Sequence, residues 1–134
     1  MIGFEVKLDE AKIKSFERLA DKGFFKSLTH AAAAIRATAR SLIVRSSEPS
    51  TPGEPVHTKR GKAKRSDAVL YVADEAADEA VVGFTFATMG KSMSAHEHGG
   101  EYLGTDFPAR PVMAPALEAN LIRFADEFQG SLGE

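Results

Sequence analysis

Three prolines, at positions 108, 111 and 115, constrain the backbone of this chain more than any other feature. Proline fixes its own φ and disfavours helical geometry in the residue before it. Residues 107–111 are therefore expected to form an extended strap. Pro115 suits the first turn of a helix, because its missing N–H would have no intrahelical partner there. The strap should thus lead directly into a C-terminal helix.

Apolar residues at helical spacing predict the buried side of this C-terminal helix. They are Leu117, Leu121, Phe124, Ala125 and Phe128, with Glu118, Arg123, Asp126 and Glu127 expected outside. The helix is expected to run to about Gln129 and to end at Gly130.

The N-terminal third predicts one strand and two helices. Apolar residues alternate over residues 2–8, which is typical of a strand with one buried face. A short helix follows Asp9 and is expected to stop at Lys22 and Gly23. A long helix is predicted at about residues 25–44, with Thr29, Ala33, Arg36 and Arg40 on its outer face and a buried stripe formed by Leu28, Ala32, Ile35, Ala39, Leu42 and Ile43.

Two runs of β-branched and aromatic residues, 68–73 and 80–86, predict an antiparallel hairpin. The acidic sequence DEAADE between them predicts its turn. Both runs are apolar at nearly every position, so both faces are expected to be covered, one by helices and the other by a neighbouring subunit. Gly83 suggests a bulge or a close backbone approach, and residues 88–94 are expected to form a flexible connection.

These elements predict one α+β domain spanning residues 1–134. Its small antiparallel sheet, made of the N-terminal strand and the central hairpin, should pack against two long helices and one short helix. A length of 134 residues is typical of a single domain. No signal peptide or membrane-spanning segment is evident, which predicts a soluble, unexported protein.

Residues 45–67 are predicted to form a long extended loop or arm, rich in proline and glycine. Its second half carries five cations: Lys59, Arg60, Lys62, Lys64 and Arg65. Two interpretations remain open, a solvated mobile loop and an arm that touches a partner subunit or a phosphate backbone. A net charge of -2 argues against a dedicated nucleic-acid binder, and no aromatic residue is interleaved for base stacking.

The residues that most resemble a catalytic site are His96, Glu97 and His98. Metalloprotease helices place two histidines four residues apart, whereas these are two apart and precede two glycines. A polar turn with solvated or structurally hydrogen-bonded histidines is the favoured interpretation, and a two-histidine metal site completed by His57 or a remote carboxylate is the alternative. With no cysteine and no nucleophile elbow or phosphate loop, no enzyme activity, metal or cofactor is predicted.

Two segments together resemble a known family. TPGEPVHTKRGKAKRSDAVLYV and AHEHGGEYLGTDFPARPVMAPALE are similar to the loop, first hairpin strand and later P-A-R-P motif of the tail-completion or neck proteins of long-tailed double-stranded DNA bacteriophages. The pattern departs from that family where Lys59, Arg60 and Gly61 follow Thr58, where Ala63 replaces an apolar anchor, and at His98, where an aromatic residue is commoner.

The resemblance implies a non-enzymatic virion protein that forms a homo-oligomeric ring at the head-to-tail joint. Its expected partners are head-closure, connector or tail-tube proteins, with DNA passing through the lumen without sequence-specific binding. It would lie in the host cytoplasm before assembly, and the choice between neck ring and tail terminator stays open. The expected interface residues are the five loop cations together with Phe107, Pro108, Arg110 and Pro111.

The basic arm is therefore expected to pair with acidic surface on an adjacent subunit, such as the DEAADE turn. Reversing the charges of Lys62, Lys64 and Arg65 should then block assembly. A nucleic-acid-binding module that uses Lys59 to Arg65 is the second hypothesis, and a metal-dependent hydrolase that uses His96 and His98 is the third.

Overall fold

The computed structural model describes residues 2–7 and 21–131, so the short helix predicted after Asp9 lies outside the described residues. In chain order the helices are α1 (Asp21–Leu42), α2 (Phe86–Met89), α3 (Met93–His98) and α4 (Met113–Ser131). The strands are β1 (Ile2–Lys7), β2 (Val69–Asp74), β3 (Glu79–Thr85), β4 (Gly100–Tyr102) and β5 (Thr105–Phe107). This α+β arrangement confirms the predicted fold class. No helix among the described residues is long and apolar enough to cross a membrane.

The main sheet has the strand order β1-β3-β2 and is antiparallel throughout. The predicted hairpin and its acidic turn are confirmed, with Asp74 paired to Glu79 at the turn. Gly83 pairs regularly with residues on both neighbouring strands, so the bulge expected there is wrong. The register shift instead lies in β1, between Ile2 and Phe4. β3 is consequently the central strand of this sheet and is more buried than β2.

Helix α1 packs against α4 and against strands β2 and β3. Its predicted apolar stripe is confirmed: Leu42 is half-buried, and the buried residues are Leu28, Ala32, Ile35, Ala39 and Ile43. The predicted stop at Lys22 and Gly23 is wrong, because α1 already begins at Asp21. A glycine inside a helix costs only about 1 kcal/mol, which is small beside the packing of this long helix.

The predicted buried side of α4 is confirmed in part, since Phe124 is buried and Leu117 half-buried, but the buried side extends toward Asn120. Leu121 is 39% exposed and Ala125 is also exposed, whereas Asn120 is only 6% exposed. The Asn120 Nδ2 group donates to Ala116 O at 2.7 Å and to Thr38 Oγ1 on α1 at 3.0 Å. A buried amide is tolerated when it is hydrogen-bonded in this way, so a polar residue faces α1. Gly130 lies within the helix rather than ending it.

Residues 86–98 are largely helical, so the flexible connection expected at 88–94 is wrong. The chain then forms the small β4–β5 hairpin, whose two-residue turn contains Leu103 at φ 50 and Gly104 at φ 79. Two positive φ values are typical of a turn that matches strand twist. Leu103 is 86% exposed at the tip.

Residues 43–61 turn back on themselves. Ser46 N donates to Thr58 O, and Thr58 N donates to Val44 O, both at 3.0 Å. Gly53 N donates to Ala109 O at 2.8 Å, which joins the loop to the strap. Val56 is buried in the core. The extended form expected for this segment is thus not confirmed.

Candidate functional site

A buried carboxylate on α3 caps the N-terminus of α4. Glu97 is 6% exposed, and its Oε1 accepts hydrogen bonds from Val112 N and Met113 N, both at 2.8 Å. Its Oε2 accepts a third from Ala114 N at 3.2 Å. A negative charge at this position also interacts favourably with the positive end of the helix dipole.

This cap accounts for every N–H that the start of α4 leaves without an intrahelical partner. A helix begins with four such groups. Glu97 accepts from three of them, the fourth position is Pro115, which has no N–H, and Ala116 N donates to Val112 O at 3.1 Å as the first helical bond. Pro115 therefore lies in the first turn, as predicted. The polar turn expected for residues 96–98 is wrong, because these residues end helix α3.

The strap is anchored to α3 and to the loop through Arg110. Its backbone N–H donates to His96 O at 2.5 Å. Its side-chain Nε donates to Ser50 O at 2.7 Å. Gly99 has φ 74, and a Cβ at this position would lie 3.2 Å from Ala109 N, so the approach of strap and α3 requires glycine.

A cleft opens between the loop, α3 and the strap, and we call it the basic cleft. It consists of two adjoining recesses of about 330 and 240 Å³ that share Val56, His57, Lys59 and His96 as walls. Ser50, Glu48 and Arg110 line the first recess. Thr58, Arg60 and Met89 line the second. The cleft is therefore walled mainly by cations, imidazoles and hydroxyls.

The described residues include three buried side-chain polar atoms without a hydrogen-bond partner, and all three belong to walls of the basic cleft. They are Ser50 Oγ, Thr58 Oγ1 and His96 Nδ1. Buried polar groups without partners are rare and require an explanation. Because all three atoms belong to one cleft, this cleft is the candidate functional site.

The two histidines of the cleft are held differently. Burial, and then the nearby Arg110 charge, lower the pKa of His96 below its usual value of 6.5, because both disfavour the imidazolium. Its ring also packs edge-on against Phe107, with 4.7 Å between ring centroids. His57 Nδ1 lies 2.8 Å from Glu48 O. Since a carbonyl only accepts, His57 Nδ1 must carry the hydrogen.

We call residues 45–67 the basic loop. Arginines on α1 and just after α1 hold the backbone of this loop and of the start of β2. Arg36 Nε donates to Val69 O at 2.6 Å and its guanidinium also reaches Ser66 O. Arg40 donates to Lys64 O at 2.7 Å, and Arg45 donates to Lys59 O at 3.3 Å. These arginines bond to backbone carbonyls and thereby fix the path of the loop.

The nine predicted interface residues do not form one cluster. Lys59 and Arg110 line the same recess, with Arg60 in the adjoining one. Phe107 contacts His96, while Pro108 is exposed and Pro111 half-buried. Lys62 and Lys64 bound a single 3-10 turn; Lys64 faces a separate recess beside Arg40.

Arg65 is the loop cation with an ion pair inside the described part of the chain. Its Nε lies 3.0 Å from Asp67 Oδ1. Hydrogen bonds from Thr88 and then Arg65 lower the pKa of Asp67 from its usual value of 3.8. Arg65 is thus less available to a partner subunit than a cation without an ion pair.

The alternative two-histidine metal site finds limited geometric support. His96 and His98 are neighbours on a helix, where residues two apart point to different sides, and His98 is exposed while His96 is half-buried. His57, not His98, shares a cleft with His96. Within residues 2–7 and 21–131 no group of three or more metal-ligating side chains is assembled.

Comparison with models of protein families, with curated proteins and with solved structures finds no match.

Sequence reasoning missed Glu97 as a cap, Ser50 as a wall of the cleft, and the two arginines Arg36 and Arg40. The spacing of these arginines, four residues apart on one helix face, was a signal that both reach the same neighbouring segment. Glu97 gave no comparable signal, because its partners lie fifteen and more residues away.

Proposed function

We propose that the protein is a structural subunit of a bacteriophage virion, of the neck or tail-completion type, which assembles with copies of itself into a ring. The resemblance of its loop and strap sequences to that family motivates the virion role. The placement of opposite charges in the fold supports the self-assembly.

The observation that carries this proposal is that the basic loop and the acidic turn lie at opposite ends of the β2–β3 hairpin. Ala68 and Asp67 contact Thr85 at one end, while Asp74 pairs with Glu79 at the other. Six residues of strand span about 20 Å. The loop and the turn of one chain therefore cannot pair with each other, but those of two copies can.

Contacts between opposite ends of identical subunits are either reciprocal, which gives a two-fold dimer, or heterologous, and heterologous contacts generate closed rings when the rotation closes. The acidic turn is preformed for this role. Asp74 Oδ1 accepts from Ala76 N at 3.0 Å and from Ala77 N at 3.3 Å, which leaves Glu75 exposed at the turn.

Strand β2 lies between these two ends and supplies an apolar surface. It is an edge strand of the sheet, with Tyr71 39% exposed and Val72 60% exposed. Adjacent strand residues point to opposite faces, so both faces of the edge present apolar area. An exposed edge of this kind pairs readily with another chain. Strand β2 thus offers apolar surface that this proposal assigns to a neighbouring subunit.

A charge-swap experiment tests the proposal. Arg60→Glu with Lys64→Glu should abolish the oligomer, as should Glu75→Lys alone, because each removes attraction and adds repulsion across every subunit contact. Combining the three substitutions should restore assembly. The measurement is mass in solution by light scattering, at low and high salt.

Glu118→Lys, an exposed reversal on α4, is the matched control and should assemble like the wild type. Arg65 is left unchanged because it pairs with Asp67 in its own chain. A wild-type protein that stays monomeric at every concentration and salt, or a swap that restores nothing, would sink the proposal. Steeply salt-dependent binding to duplex DNA by the monomer would instead favour the nucleic-acid-binding module.

A further inference from the structure

We propose that the basic cleft is a binding site for an oxyanion of the phosphate class. This inference is independent of ring formation, because all of the groups that carry it belong to one chain. They are two cations, one imidazole and two hydroxyls: Lys59, Arg110, His96, Ser50 and Thr58.

Arg110 brings more hydrogen-bond donors to the cleft than its contact with Ser50 uses. Arg110 has five N–H donors on its guanidinium, of which Nε is engaged with Ser50 O. That bond, together with the one from Arg110 N to His96 O, fixes the arginine at the cleft wall. A pre-positioned guanidinium loses little conformational entropy on binding an oxyanion.

The partnerless atoms supply the second observation. Ser50 is 4% exposed, and its hydroxyl has no hydrogen-bond partner. Thr58 Oγ1, in the second recess, and His96 Nδ1, in the wall that both recesses share, also lack a partner. Leaving such a group unsatisfied destabilises the fold, so a ligand that accepts from these groups recovers this cost on binding.

The charge of the cleft selects an anion over a metal cation. Lys59, Arg110 and, in the second recess, Arg60 carry positive charge, against the single carboxylate of Glu48. A cation bound between His57 and His96 would be repelled by the first two. An oxyanion is attracted by the same groups, and it has enough lone pairs to accept from several donors at once.

Calorimetric titration with inorganic phosphate tests the site, using the full chain in a phosphate-free buffer. We expect saturable binding of one phosphate per chain. Lys59→Gln should weaken it by about tenfold to a hundredfold, which is the effect of removing one charge-assisted hydrogen bond. Ser50→Ala should weaken it by a factor of about ten.

A stability measurement and a control variant distinguish weakened phosphate binding from a folding defect. Ser50→Ala should leave the unfolding midpoint unchanged or raised without phosphate, because the lost hydroxyl had no partner. Lys64→Gln, an equal charge change outside the cleft, should bind phosphate like the wild type.

A second titration with phenyl phosphate identifies the source of the anion. Binding of inorganic phosphate alone indicates the free ion, and binding of both indicates that an esterified phosphate is accepted. The proposal is overturned if no saturable binding occurs, or if Lys59→Gln and Lys64→Gln weaken it equally. It is also overturned if duplex DNA binds while inorganic phosphate does not.

Discussion

Replacing Glu97 should expose how much of the fold depends on the cap of α4. In Glu97→Ala, three N–H groups at the start of α4 lose their acceptor; Val112 and Met113 are 0% exposed, whereas Ala114 is exposed. Each buried donor left unpaired costs about 1–3 kcal/mol. Water that enters the vacated space reduces this sum, so we expect a loss of about 3–5 kcal/mol in the free energy of unfolding.

Glu97→Gln removes the charge while keeping one oxygen acceptor. The two bonds at 2.8 Å, from Val112 N and Met113 N, can remain, but the amide NH₂ then faces Ala114 N, another donor. The variant also loses the interaction of a carboxylate with the helix dipole, which reaches about 2 kcal/mol in partly buried positions. A loss of about 2 kcal/mol is expected, which leaves a domain of ordinary stability folded.

Urea unfolding, followed by far-UV circular dichroism, measures the free energy of unfolding of both variants. Glu101→Gln, an exposed carboxylate on β4, is the control and should lie within about 0.5 kcal/mol of the wild type. Hydrogen exchange should show faster exchange at residues 112–114 in Glu97→Gln. The role of Glu97 as a cap is contradicted if Glu97→Ala lowers the free energy of unfolding by less than about 1 kcal/mol. It is also contradicted if the three amides stay protected from hydrogen exchange.

Two further predictions concern the interior. His96 has a lowered pKa in the folded chain, caused first by burial and then by Arg110, so as pH falls below about 6.5 the unfolded chain takes up this proton first. Wild-type stability should therefore fall more between about pH 8 and pH 5 than that of His96→Gln, and equal slopes in urea unfolding would contradict this. Asn120→Ala removes the amide that joins α4 to Thr38 and should cost about 1–2 kcal/mol. The double variant with Thr38→Val should cost less than the sum of the single variants, whereas simple additivity would show that the two side chains are not coupled.

The sequence predicted the elements whose periodicity is strong. The stripe of α1 and the pairing of the central hairpin follow from local patterns that packing reinforces. The face of α4 was not predictable in the same way, because Asn120 is satisfied in the interior by bonds to Ala116 O and to Thr38 on α1. Its hydropathy argues for the surface, and its partner lies 82 positions away.

The residues of the candidate site were singled out only in part, and their arrangement was not predicted. Lys59, Arg110 and His96 were all singled out, yet nothing in their spacing indicates that one cleft collects them. That proximity depends on Arg110 binding both His96 O and Ser50 O, and such backbone contacts have no residue signature. The role of Glu97 is hidden for the same reason, since any N–H can be its donor.

The contacts between α3 and the strap also determine where this chain tolerates insertions. His96 O binds Arg110 N, and Glu97 binds Val112 N, so both ends of the β4–β5 hairpin are fixed to each other independently of what lies between. Lengthening a loop with fixed ends adds only a small entropic cost, about 0.6 kcal/mol for each doubling. A peptide tag or binding loop inserted between Leu103 and Gly104, at the exposed tip, should therefore be displayed without disturbing the core.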